Sequence, residues 1–211
     1  MKEKYMTNWE KNKKIVGDWG ILAVDNVPKN VIDYLKNNIS DRPYNAELAG
    51  HLKKEYLYKN WPECVNDFLL QQIDNPILTN HSKKNNTLSS NKPFYVSSLW
   101  ANLQKKHEFN PVHNHAGIFS WIIFLKVPYN LKDEDNIFGK TSITPRCSRL
   151  CFLVQDYMGD IIELPVDVDK SFEGQMLMFP APLQHLVYPF YSSDESRITV
   201  SGNIKLWVDK K

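Results

Sequence analysis

Two of the six histidines stand two residues apart in Asn110-Pro111-Val112-His113-Asn114-His115-Ala116-Gly117, directly ahead of the apolar run Phe119 to Val127. Residues i and i+2 of an extended chain point to one face, so His113 and His115 are expected to project side by side from a segment continuing into that run. Two imidazoles so placed can share one metal ion. A third, His185, follows Phe179-Pro180-Ala181-Pro182-Leu183-Gln184, a proline-bracketed turn between two β-type runs. Imidazole nitrogen suits iron, zinc, copper and nickel, and three protein ligands with open positions are what a catalytic metal requires. A His-x-His pair alone is a weak signal; the last strand strengthens it. There Arg197, Thr199, Ser201 and Asn203 alternate with Ile198, Val200, Gly202 and Ile204, giving one polar face that begins with a cation. Such a face is ordinarily solvated. Yet Arg197 follows His185 by one turn and one strand, from where it can reach the same mouth and hold a carboxylate in a bidentate fork.

The elements that must position these residues are mostly β. After a polar amino-terminal stretch, Trp19 to Val24 reads as a strand stopped by Asp25-Asn26-Val27-Pro28. Between Lys29 and Asp74 the period becomes helical: Val31, Leu35 and Ile39 fall on one stripe, and Val65, Phe68, Leu69 and Ile73 on another behind Pro62. Two or three helices are expected there. Residues 79–93 carry one aliphatic side chain and read as a loop. From Phe94 onward seven short strands are expected: Tyr95 to Gln104, Phe119 to Val127, Leu150 to Gln155, Asp160 to Val166, Gln175 to Phe179, Leu186 to Phe190 and Arg197 to Trp207. Residues 128–148 are polar and long enough for a lid or binding loop. The chain is expected to form one domain of mainly β structure with α, in which a helical support region over 1–92 packs on a sandwich, jelly-roll or barrel core over 93–208.

Composition bounds the function classes. The chain of 211 residues is 42% apolar and 24% charged, which suits a folded globular protein. A net charge of +2, scattered without a basic stripe, gives no indication of nucleic acid. No apolar run approaches the ~20 residues of a spanning helix, and no signal peptide is evident. Cys64, Cys147 and Cys151 match neither a disulfide framework nor a zinc ribbon, so a reducing, cytoplasmic setting is expected. Trp100 and Asn102 share a strand face; Trp100 is expected in the core, and Asn102 is a candidate contact. His51, His81, His107 and Glu108 are expected at the surface, and Gly174 with Pro180 reads as a turn needing positive φ followed by a rigid one.

Together, His113-x-His115, His185 behind a Phe-Pro turn, Arg197-x-Thr199 and Ser-Gly-Asn at 201–203 resemble the 2-oxoglutarate and Fe(II)-dependent oxygenases, specifically the small prolyl-hydroxylase-like kind of marine phage genomes. The resemblance runs from about Phe94 to Ile204 and includes Ser98-Leu99-Trp100-Ala101-Asn102. It implies a double-stranded β-helix with Fe(II) in its mouth, held by His113, His115 and His185. It further implies 2-oxoglutarate chelating the iron, with Arg197 on its distal carboxylate, Thr199 donating a hydroxyl to that group, and Asn102 beside the co-substrate. The implied reaction consumes dioxygen and hydroxylates a C–H bond of a prolyl peptide or small amino-acid-like substrate, releasing succinate and carbon dioxide. One departure stands out: His115 fills the position where these enzymes usually carry a carboxylate ligand. Either His115 ligates, as its parity with His113 favours, or it stands beside the metal and a water completes the set.

Two other classes compete. His-x-His followed by a Gly, Pro, His segment also resembles the cupin metal dioxygenases and isomerases, but Ala116 to Phe124 contains no acid where their glutamate is expected. A non-enzymatic jelly-roll binding module would leave the histidines incidental. Ordinary imidazoles would make metal affinity fall as pH drops through ~6.5.

Overall fold

A computed structural model describes residues 19–40, 42–43, 49–84, 93–138, 141–142 and 145–207. The elements run β1 (Leu22–Val24), α1 (Lys29–Asn37), β2 (Glu55–Leu57), α2 (Glu63–Gln71), α3 (Pro76–Lys84), β3 (Phe94–Gln104), β4 (Asn110–His113), β5 (Phe119–Lys126), α4 (Leu131–Phe138), β6 (Leu150–Gln155), β7 (Ile161–Val166), β8 (Met176–Pro180), β9 (His185–Val187) and β10 (Arg197–Leu206). They pair antiparallel into a larger sheet, β1-β8-β5-β10-β3-β2, and a smaller one, β4-β9-β6-β7. This is the double-stranded β-helix expected from the sequence, mainly β with few helices.

Strand alternation decides what each face of the larger sheet meets. Leu99 and Ala101 of β3, Trp121, Ile123 and Leu125 of β5, and Val200 and Ile204 of β10 pack with Val31 and Leu35 of α1 and Val65, Phe68 and Leu69 of α2. The opposite face turns toward the smaller sheet, where Phe124 of β5 and Leu177 and Phe179 of β8 meet Leu150, Phe152, Val166 and Val187. β5 is apolar on both faces because both are covered, the condition that turns a strand into a continuous hydrophobic run. Gly202 marks the tightest packing: a Cβ there would lie 2.5 Å from the Trp121 ring and 2.4 Å from the Ser98 carbonyl. Gly174 adopts the positive φ expected of it, +83°, and its N–H donates to Phe124 O.

Several expectations need correction. The region before residue 93 supplies to the larger sheet not only β1, within the strand expected at Trp19 to Val24, but also the unexpected β2, beside its helices. Helix α3 occupies Pro76–Lys84, so the stretch read as a loop begins helical, because Pro76 opens a first turn and Asn75 Oδ1 accepts the Ile77 N–H; residues 85–92 lie outside the described ones. The stretch 128–148 is no plain loop. It carries α4, fastened by the buried Glu134 carboxylate, which accepts the N–H groups of Tyr191 and Ser192, and by Asp135 paired to Arg149. Finally, His113 does not lead into the strand at Phe119. It ends β4 in the smaller sheet, and the chain crosses to the larger one through Gly117, whose φ of +133° favours glycine.

Candidate metal and co-substrate site

His113 and His185 are directly paired across β4 and β9, which places two imidazoles on neighbouring strands at one end of the smaller sheet. His115 lies two residues beyond, its backbone N–H donating to Ala181 O at 2.9 Å. Ring centroids are 4.3 Å apart for His113 and His185, 5.0 Å for His113 and His115, and 5.1 Å for His115 and His185. One ligand nitrogen from each falls within 4.8 Å of the others. The ring Nδ1 of His113 meets Pro111 O at 2.7 Å and that of His185 meets Leu183 O at 3.0 Å. A carbonyl only accepts, so each Nδ1 carries the proton and each Nε2 keeps its lone pair for a metal. The His115 ring has no such tie among the described residues; it packs against Trp100, with centroids 5.6 Å apart.

Burial depresses the basicity of all three. His185 is pushed down to about 3 and His115 to about 4, by desolvation first and the neighbouring imidazoles second. His113 is also lowered by burial, against the opposing pull of the Pro111 carbonyl. The three rings are therefore neutral donors over the physiological range. The expectation of an affinity that falls through ~6.5 is corrected accordingly, because that value belongs to a solvated imidazole.

The same pocket, about 180 Å³, is lined by Trp100, Asn102, Gln104, Arg197, Thr199 and Ser201 from the larger sheet and by all three histidines. The polar face of β10 is thus buried, not solvated: Arg197 is 5% and Thr199 7% exposed. Asn203 continues this face up to a bulge that follows it but lies beyond the pocket lining, its Oδ1 accepting from Ser120 Oγ at 2.7 Å. The Arg197 guanidinium donates from Nη1 to Tyr129 Oη at 3.1 Å and Ser148 O at 3.2 Å, and from Nη2 to Gln104 Oε1. None of these partners is charged. Nε and one Nη2 hydrogen remain for another acceptor, and no carboxylate among the described residues forms an ion pair with this cation. A buried cation without a counter-charge is costly unless an anion joins it. Asn102 is similarly incomplete: Nδ2 reaches Thr199 Oγ1 and Ser201 Oγ at 3.4 Å each, and Oδ1 is buried without a partner. Three neutral nitrogen donors beside an unpaired guanidinium fit a divalent iron and a dicarboxylic co-substrate.

All six sequence candidates, His113, His115, His185, Arg197, Thr199 and Asn102, therefore line one cavity. Of the residues expected at the surface, His51 and His107 are exposed and Glu108 is partly covered. The side chain of His81 lies outside the described residues. Trp100, expected as core, is buried but forms pocket wall. Sequence reasoning missed Gln104, Glu55 and Asn110. Gln104 shares the parity of Trp100 and Asn102 and was legible; β2 is three residues long, and a register shift between Asn110 and His113 breaks the period that would have linked them.

A family model described as "Putative 2OG-Fe(II) oxygenase" matches residues 98–203, half of the chain. Among solved structures, a prolyl-4-hydroxylase from Pseudomonas putida aligns with TM-score 0.51 and 14% identity over 94% of this chain and 98% of that one. A Trichoplax adhaerens prolyl hydroxylase, solved with a hypoxia inducible factor peptide fragment, aligns at 0.49 and 11% over 97% and 95%. HygX of Streptomyces hygroscopicus, solved with nickel and 2-oxoglutarate, aligns at 0.48 and 8% over 96% and 88%. No curated protein matches the sequence. No helix among the described residues is long and apolar enough to cross a membrane. The chain belongs to the 2OG-Fe(II) oxygenases, enzymes whose cofactors are Fe(II) and 2-oxoglutarate and whose oxidant is dioxygen.

Proposed function

We propose that this oxygenase hydroxylates an unactivated C–H bond of a prolyl peptide or a small amino-acid-like substrate, with His113, His115 and His185 holding the iron and Arg197 holding 2-oxoglutarate. The carrying observation is the juxtaposition in a single cavity of three neutral imidazoles and a buried guanidinium that has no ion pair among the described residues. Bound together, iron and 2-oxoglutarate would activate dioxygen, one oxygen atom of which would go to the substrate C–H bond and the other to the co-substrate as it becomes succinate and carbon dioxide.

The chain's own residues prepare that site. The carbonyls of Pro111 and Leu183 fix the tautomers of His113 and His185, so neither ring must reorient to ligate. Arg197 offers Nε and Nη2 to the distal carboxylate, with Gln104, Tyr129 and Ser148 holding the guanidinium in place. Thr199 adds a hydroxyl donor, and the Asn102 amide, only loosely bonded, turns to a co-substrate oxygen. Ile122, Phe124, Leu150 and Val187 add an apolar stretch of wall that helps exclude water. His115 in the usual carboxylate position leaves the metal site with a higher positive charge, which favours an anionic chelator. At about 180 Å³ the cavity lies below the usual range for drug-sized ligands, so it suits the co-substrate while the reacting group enters from the mouth.

The prolyl preference is supported by the motif resemblance and by the fold shared with the Pseudomonas putida enzyme; affinity with phage-encoded members rests on the motifs alone. Oxygen-dependent succinate release in the presence of Fe(II) and 2-oxoglutarate tests the reading. Release stimulated by prolyl peptides or free amino acids is expected. No stimulation by any of them refutes the substrate assignment.

A further inference from the structure

We propose that Ser148 is a positioning residue for co-substrate binding: its left-handed backbone aims at Arg197 a carbonyl that the neighbouring chain cannot use. The role rests on the reading of this cavity as the place where Arg197 holds 2-oxoglutarate.

Ser148 stands just ahead of β6, where the chain arrives from α4, and outside the pocket lining. It is fully buried, and its φ of +64° is disfavoured for any residue with a Cβ. Its hydroxyl has no hydrogen-bond partner, so the side chain does not explain the position. The main chain does. The Ser148 N–H donates to Pro189 O at 2.9 Å. In an extended chain the N–H and C=O of one residue turn to the same neighbouring strand. The Ser148 carbonyl would then meet Pro189, a residue with no N–H to give. The left-handed turn sends it the other way, where it accepts from Arg197 Nη1 at 3.2 Å and Tyr129 Oη at 3.3 Å. Arg149 O, the next carbonyl, accepts the Tyr188 N–H instead.

The following side chain clamps this turn. Arg149 donates from Nε to Asp167 and from Nη1 and Nη2 to Asp135 of α4, and Nη1 also reaches Cys147 O. A carbonyl suits the task at Arg197: it occupies one guanidinium hydrogen and fixes the plane of the fork without cancelling the charge that an incoming carboxylate needs. A side-chain carboxylate in its place would compete with the co-substrate. The connection through α4 is thereby tied to the co-substrate end of the cavity.

The test compares Ser148→Gly, which adopts positive φ freely, with Ser148→Val, whose β-branched side chain resists it. Anaerobic calorimetry on the Fe(II)-loaded chain reads 2-oxoglutarate affinity, competition titration reads iron affinity, and urea unfolding reads stability. Ser148→Gly is expected to keep the 2-oxoglutarate affinity and to unfold at higher urea, relieved of the strain and of the unpartnered hydroxyl. Ser148→Val is expected to bind 2-oxoglutarate roughly tenfold or more weakly with iron affinity unchanged. Combined with Arg197→Ala it should add nothing, because it acts through the guanidinium. Unaltered affinity in folded Ser148→Val, or an effect that persists beside Arg197→Ala, overturns the positioning role. Should Ser148→Val not fold, Ser148→Gly decides: affinity kept with stability gained supports the role, and a loss of either overturns it. An unaltered protein that binds iron but no 2-oxoglutarate overturns the reading of the cavity, and the positioning role with it.

Discussion

Acidifying the metal-free protein from about pH 7.5 to about pH 5 should lower its stability while leaving the Fe(II) affinity of the folded form nearly flat. Folded His185 titrates near 3 and His115 near 4, both far below the ~6.5 of an unfolded imidazole, and His113 is displaced in the same direction. Below ~6.5 the unfolded chain therefore takes up protons that the native rings refuse, and stability falls until the folded values are reached. Relative to pH 7.5, His115 and His185 each contribute a loss of about 2 kcal/mol by pH 5, about 4 kcal/mol together, and His113 adds to it. Glu55 works the other way. Its folded value is raised to about 7, so the native state binds the extra proton between there and ~4.5, offsetting about 2 kcal/mol over the same interval. Urea unfolding of chelator-treated protein at the two pH values should show a loss of about 2 kcal/mol plus the His113 share, growing to about 4 kcal/mol plus that share in Glu55→Gln. Anaerobic competition titration should find iron affinity changed by less than about tenfold, because the metal meets rings that are already deprotonated. Unchanged stability in Glu55→Gln, or iron affinity that collapses across the interval, would show that the imidazoles titrate like solvated ones and refute the burial argument.

Three substitutions probe other parts of the account. Arg197→Ala should keep iron yet weaken 2-oxoglutarate by about 2–4 kcal/mol, roughly 30- to 700-fold, measured by anaerobic calorimetry; unchanged affinity removes Arg197 from the site. His115→Ala should lower iron occupancy, read by metal analysis after desalting, and full occupancy would mean that His115 stands beside the metal rather than on it. Gly202→Ala forces a methyl into the Trp121 ring and the Ser98 carbonyl, so denaturant unfolding should show a loss of about 1–3 kcal/mol; a neutral result would contradict the packing of β10 on β5.

Much of the larger sheet was legible because covered strands advertise themselves. β5 reads as a continuous apolar run, and β10 alternates so regularly that Arg197, Thr199 and Ser201 could be assigned one face before any geometry was known. The same parity gave Asn102. What stayed hidden depends on pairing partners distant in sequence. β4 has four residues, one of them proline, and exists because β9 supplies the facing edge. β2 has no period of its own and is a strand only against β3. Whether a polar face meets water or a second sheet is likewise set by tertiary packing, which is why the β10 face read equally well as solvated. The stretch at 128–148 shows the converse: its composition looked loop-like, yet Glu134 and Asp135 are spent on fastening a helix.

The central claim, that one cavity joins iron on three imidazoles to 2-oxoglutarate on Arg197, is tested most directly by anaerobic titration of the metal-free protein with Fe(II) and then 2-oxoglutarate, followed in the visible spectrum. A metal-to-ligand charge-transfer band that needs both additions, and that requires a much higher 2-oxoglutarate concentration in Arg197→Ala, is the predicted result. Iron binding without such a band at any co-substrate concentration would contradict it.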